Sequence, residues 1–134
     1  VYQQRYKSFP IQDDYHFFVV CRYVERNALR ADLVDRAENW RWGSLWRWRQ
    51  QPEPDPKLLS PWPLPRLPNW VERVNEPLSK KELDAVRLAA NRGRPLGDEA
   101  WVESIARRLN LESTMRPRGR PRVRFPDVES NKET

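Results

Sequence analysis

The stretch "FFVVCRYVERNALRADLV", residues 17–34, decides how this chain is read. Its apolar spacing predicts one long helix from Tyr15 to about Val34. The first half, "FFVVC", is apolar on nearly all sides, as in a helix that is deeply buried or covers a sheet. The second half is amphipathic, with Leu29, Leu33 and Val34 on one side. On such a helix Tyr23 and Asn27 stand one turn apart on the same face. Tyr23 is then either a core aromatic or a nucleophile, since a tyrosine oxygen can attack phosphorus and form a phosphotyrosine. Asn27 could offer a carbonyl oxygen to Mg²⁺ one turn away, but one amide cannot hold a metal. Residue types alone favour the core aromatic.

Upstream, "QRYKSFPIQ" (residues 4–12) alternates weakly and reads as a strand or extended segment ending near Pro10. Asp13 and Asp14 offer N-caps, a simpler use for two adjacent carboxylates than metal binding. Downstream, "ENWRWGSLWRWRQ" carries Trp40, Trp42, Trp46 and Trp48, with Gly43 and Ser44 expected to break the structure between the pairs. These tryptophans are expected to pack back on the domain. The other use is stacking of unpaired bases, with Arg41, Arg47 and Arg49 on the backbone.

Residues 51–68 hold seven of the thirteen prolines and predict an extended, semi-rigid linker, with Trp62, Trp70 and Trp101 as anchors. Ser79 and Glu82 then form a capping box for a helix from Lys80 to about Asn91, stopping at Gly93. Trp101, Ile105 and Leu109 give an i, i+4, i+8 stripe over a second helix, residues 99–109. The two make a helical hairpin or a loose helix-turn-helix. The expected organisation is 1–49, a linker at 50–70, a helical pair at 71–111 and a basic tail at 112–134.

The tail places arginine at 116, 118, 120, 122 and 124. Arginine alternating with proline and glycine cannot build a packed core, so disorder in the free protein is expected. "RPRGRPR" looks like an AT-hook, an extended arm for a narrow A·T minor groove. The whole chain of 134 residues carries a net charge of +6, which favours an anionic partner, nucleic acid above all. No run of apolar residues is long enough to span a membrane. The single cysteine, Cys21, excludes an internal disulfide framework and fits a reducing cytoplasm. No Ser-His-Asp or Cys/His zinc site is supported.

Three stretches, "VYQQRYKS", "DDYHFFVVCRYVERNALRADLV" and "ENWRWGSLWRW", together resemble the REP-associated tyrosine transposases, bacterial relatives of the single-tyrosine HUH transposases. The likeness runs on through "GRPLGDEAWVESIARRLNLESTMRPRGRPR". It implies an α+β fold, the C-terminal portion of a ferredoxin-like domain. It also implies cutting and rejoining of single-stranded DNA beside imperfect palindromic hairpins. Tyr23 would attack the scissile phosphate, forming a 5′-phosphotyrosine link and freeing a 3′-OH. Asn27 would be the third ligand of a divalent metal, Mg²⁺ or Mn²⁺, beside a His-hydrophobic-His pair. Arg5 and Lys7 would lie near the DNA or the active site. Arg22, Arg26 and Arg30, on the nucleophile helix, are further candidate DNA contacts, as are Arg116, Arg118, Arg120, Arg122 and Arg124. A homodimer is left open.

This chain departs from the family in two ways. Asn27-Ala28 stands where the family has Asn-Pro, which simply lets the helix continue. More seriously, His16 is the only histidine, so the histidine pair is missing. The expectation is the C-terminal part of a transposase, from a truncated frame, a decayed copy or an incomplete gene. Such a chain would be inactive alone and hold no metal of its own. The reading from another class is a non-enzymatic DNA-binding remnant that works through the helical pair and the arginine tail.

Overall fold

The helix containing Tyr23 carries apolar residues on two sides because two groups of helices cover it. The computed structural model describes residues 6–117 and 119. Among these the elements in order are α1 (Asp14–Glu25), α2 (Asn27–Arg30), a 3₁₀ turn (Ala37–Asn39), α3 (Ser44–Arg49), α4 (Trp70–Asn75), α5 (Lys80–Arg92), α6 (Glu99–Arg108) and a second 3₁₀ turn (Glu112–Met115). Val19 and Tyr23, four residues apart on α1, pack with Val86 and Ala89 of α5 and with Leu96. Phe18 and Cys21, on another side, join Leu45, Trp70 and Val74 from α3 and α4.

The α+β expectation is overturned. Among the described residues there is no strand and no sheet, only an isolated parallel bridge between Ile11 and Leu96. Pro10 has no N–H to donate into a ladder. The segment before α1 instead meets one loop, through Gln12 N to Leu96 O at 3.0 Å and Leu96 N to Pro10 O at 2.8 Å. The apolar surface of α1, which suits a sheet cover equally well, is covered by helices.

The expected helix over 15–34 is also divided. Arg26 separates α1 from α2, although Arg26 N still bonds Arg22 O and Arg30 N bonds Arg26 O, both at 2.9 Å. The helical path then closes early. Leu33 N reaches back to Ala28 O at 3.0 Å and Asp32 N to Leu29 O at 3.1 Å, with Asp32 at φ 55°. This is a left-handed C-terminal closure, carried here by an aspartate. Gly93, at φ 68°, closes α5 where the sequence places the stop, and the Ser79–Glu82 capping box is formed.

Residues 50–69 form no helix but do not stand clear of the rest. Trp62 packs edge-on against Phe17 and Trp70, with ring centroids 5.5 Å apart in each pair. The proline segment therefore lies back along α1. Among the described residues no helix is long and apolar enough to cross a membrane.

Candidate nucleic-acid interface

Tyr23 and Asn27 lie on either side of the α1–α2 joint, and Arg30 connects them. Its guanidinium carbon lies 4.3 Å from the centre of the Tyr23 ring, within cation–π range. Its Nη2 donates to Asn27 Oδ1 at 2.7 Å. Its Nη1 is buried and finds no acceptor among the described residues. Tyr23 itself is half-buried against the α1–α5 cluster. The two motif residues are thus brought together, with a positive charge already between them.

Arg22 and Arg26 have a different setting. Arg22 Nε donates to Arg73 O at 2.8 Å, and its Nη2 to Glu76 O at 3.1 Å. Arg26 Nη1 donates to Val74 O at 3.3 Å and to Asn75 O. Both guanidiniums cap the last carbonyls of α4, where a cation also suits the helix dipole. Burial and the neighbouring Arg22 and Arg30 lower the pKa of Arg26. Of the three candidate arginines on this path, only Arg30 sits beside Tyr23.

The described residues do not fit a divalent metal. Among the described residues no group of three His, Cys, Asp or Glu side chains is placed to hold one. His16 Nδ1 lies 2.6 Å from Asp13 Oδ1 at the start of α1. Asn27 lies beyond the other end, about 16 Å away by the helical rise. A divalent ion at Asn27 would also face the guanidinium of Arg30, a repulsion of roughly 8 kcal/mol at 4 Å and an effective dielectric of 20. Asp13 serves as the N-cap, accepting from His16 N at 3.0 Å.

A buried ionic node that sequence reasoning missed lies on the opposite side of α1. The Glu25 side chain, 2% exposed, accepts from Trp70 Nε1 at 2.7 Å and Ser44 Oγ at 2.8 Å. Arg66 Nη2 stands 3.6 Å from the same carboxylate. The Arg66 guanidinium lies over both Trp48 (4.3 Å) and Trp62 (3.8 Å), and burial lowers its pKa. One signal was available: Arg66 is the only charged residue between Lys57 and Glu72. Trp42 differs from its neighbours. It is 74% exposed, with the Arg41 guanidinium 4.8 Å from its ring. It lines a groove of about 410 Å³ together with Val24, Asn27, Leu33 and Trp40.

The ends of the described chain converge at the far end of α5. Lys7 Nζ donates to Asn91 Oδ1 at 3.4 Å, and Arg92 Nη2 donates to the carbonyl of Arg116. Arg5 and the tail arginines Arg118, Arg120, Arg122 and Arg124 lie outside the described residues. No protein-family profile, no curated protein and no solved structure matches this chain.

Proposed function

We propose that this chain is a DNA-acting protein of the REP-associated tyrosine transposase type, with Tyr23 as the nucleophile toward a single-stranded hairpin substrate. The observation that carries this reading is the Arg30 guanidinium, which lies over the Tyr23 ring and bonds Asn27. A fixed cation beside a phenol suits a phosphodiester arriving there. In the step proposed, the Tyr23 oxygen bonds to phosphorus and the P–O3′ bond breaks. The phenol proton is lost to solvent, the departing oxygen gains a proton as a 3′-OH, and the 5′-phosphate stays on Tyr23. The metal-holding histidine pair of the family is not supplied by this chain's residues. Cleavage is therefore expected only when a segment carrying such a pair is joined to it.

The test is denaturing-gel detection of a covalent protein–DNA adduct on a labelled hairpin with Mg²⁺ or Mn²⁺. The joined protein should form the adduct and its Tyr23→Phe variant should not. An adduct that survives Tyr23→Phe would assign the nucleophile elsewhere.

A second reading is favoured by a different observation: Tyr23 packs with Val19 and Val86, and the Asn27 oxygen is already bonded. Here the chain binds DNA without chemistry, and Tyr23 is a packing residue. Tyr23→Phe should then leave stability nearly unchanged, while Tyr23→Ala should cost about 3 kcal/mol. Both variants should bind DNA as the parent does.

A further inference from the structure

We infer that the C-terminal end of α5, with the segments that meet there, forms a phosphate-binding pad that continues the arginine tail into the folded body. This inference rests on the DNA-acting reading above and deepens it. Residues 6–9, 91–94 and 111–117 meet at this place. A Cβ on Gly93 would lie 3.8 Å from Ser8 O and 4.0 Å from the Thr114 methyl. Lys7 is tied to Asn91 and Arg92 to the Arg116 carbonyl. These segments bring Lys7, Arg92, Arg94 and Arg116 against a single carboxylate residue, Glu112.

Elsewhere in the fold some cations sit beside acids, as Lys80 on Asp84, Arg107 on Glu103, Arg47 on Glu53 and Arg36 on Glu38. Others, such as Arg41, Arg49 and Arg87, have no ion pair among the described residues. This place differs in that four such cations converge on it from three segments. Among the described residues none of the four pad cations lies within 4.0 Å of a carboxylate oxygen. Lys7 and Arg92 bond only neutral acceptors, and Arg94 makes no hydrogen bond among the described residues. The negative end of α5 favours cations here, but it is one partial charge against four whole ones. The surplus matches a chain of phosphates. Arg92 also anchors the Arg116 peptide, so the first arginine of the tail sequence is held at the pad.

The experiment is fluorescence anisotropy of the full chain on a labelled single-stranded hairpin across a KCl series. Arg92→Ala with Arg94→Ala should flatten the slope of log K against log salt by about 1.4, and Arg94→Ala alone by about 0.7. Arg94→Ala removes no hydrogen bond or ion pair of the described fold, and a urea midpoint measured beside the slope separates a loss of binding from a loss of fold. Arg92→Lys with Arg94→Lys should keep the parent slope, and so should Arg107→Ala. An unchanged slope in both alanine variants overturns the pad while leaving the DNA-acting reading intact. A parent chain that binds no DNA even at low salt overturns both.

Discussion

Replacing Glu25 should unfold this protein far more readily than replacing any acid on its surface. Glu25→Ala strips Trp70 Nε1 and Ser44 Oγ of their acceptor and leaves the Arg66 guanidinium without its counter-charge. A buried donor left unsatisfied costs about 1–3 kcal/mol. Removing one partner of a buried ion pair costs about 3–5 kcal/mol. These penalties overlap, because Arg66 is 13% exposed and can turn outward, and the Ser44 hydroxyl can rotate. The net expectation is therefore about 3–5 kcal/mol, a large part of the roughly 5–15 kcal/mol that holds a domain folded. Glu25→Gln keeps an acceptor for Trp70 and should cost about half as much. Urea unfolding followed by tryptophan emission measures all of this, since Trp48, Trp62 and Trp70 surround the node. Arg66→Met completes the cycle. If the pair is the cause, the double variant combining Glu25→Gln with Arg66→Met should recover about 1–3 kcal/mol relative to additive losses. A Glu25→Ala protein within about 1 kcal/mol of the parent would refute the argument, and so would strictly additive losses.

Burial, with Glu25 adding to it, pushes the Cys21 thiol from its ordinary 9.0 up to about 11. The folded state therefore keeps the proton longer than the unfolded chain. Stability should hold below about pH 9 and fall between 9 and 11, and a thiol reagent at about pH 8 should modify Cys21 only after unfolding. Carboxyls move the other way. Asp13 is lowered by the His16 N–H. At Glu38 and Glu82 burial is the largest single influence and pushes upward, but the hydrogen bonds and charges together, from Asn75 and Arg36 at Glu38 and from Ser79, Tyr15 and Arg22 at Glu82, leave both carboxyls lowered. Their stabilisation is present above the ordinary carboxylate range and lost as pH falls through the lower folded values. The urea midpoint should therefore drop at about pH 3, and by less in Glu82→Gln. Gly97→Ala would set a Cβ 2.5 Å from Gln12 Oε1 and 2.7 Å from Trp101. It should cost about 1–3 kcal/mol in the same assay by loosening the Gln12–Asp98 link at the start of α6.

What the sequence made legible was local. Ser79, Glu82 and Gly93 mark α5 because capping chemistry acts over three or four residues. The Trp101, Ile105 and Leu109 stripe marks the existence of α6 by period, but the residues that α6 buries are Val102 and Ala106, and Leu109 is exposed. The sheet expectation fails because an all-round apolar helix shows only that something covers it. Whether strands or α4 and α5 do so is settled by residues far along the chain, such as Trp70, Val74 and Val86. The proline segment shows the same limit. Its prolines exclude helix, but only Phe17, Trp48 and Glu25 explain why Trp62 and Arg66 fold back onto the body. Arg22 and Arg26 look free to face DNA because nothing in their own helix indicates the carbonyls of α4.

The Tyr-x-x-x-Asn spacing makes Tyr23 and Asn27 neighbours, but it does not say what holds the asparagine. That role falls to Arg30, three residues further on. Arg30 has one face on the Tyr23 ring, Nη2 on Asn27 and Nη1 buried without an acceptor among the described residues. A buried guanidinium N–H without a partner costs about 1–3 kcal/mol, so this arrangement gains by taking in an oxygen. A phosphodiester oxygen would satisfy that donor, draw the guanidinium toward itself and come to rest beside the phenol. Without such a ligand the same three residues simply close one side of the α1–α5 core. The two readings of Tyr23 therefore differ in what reaches Arg30, and much less in how the helix is built.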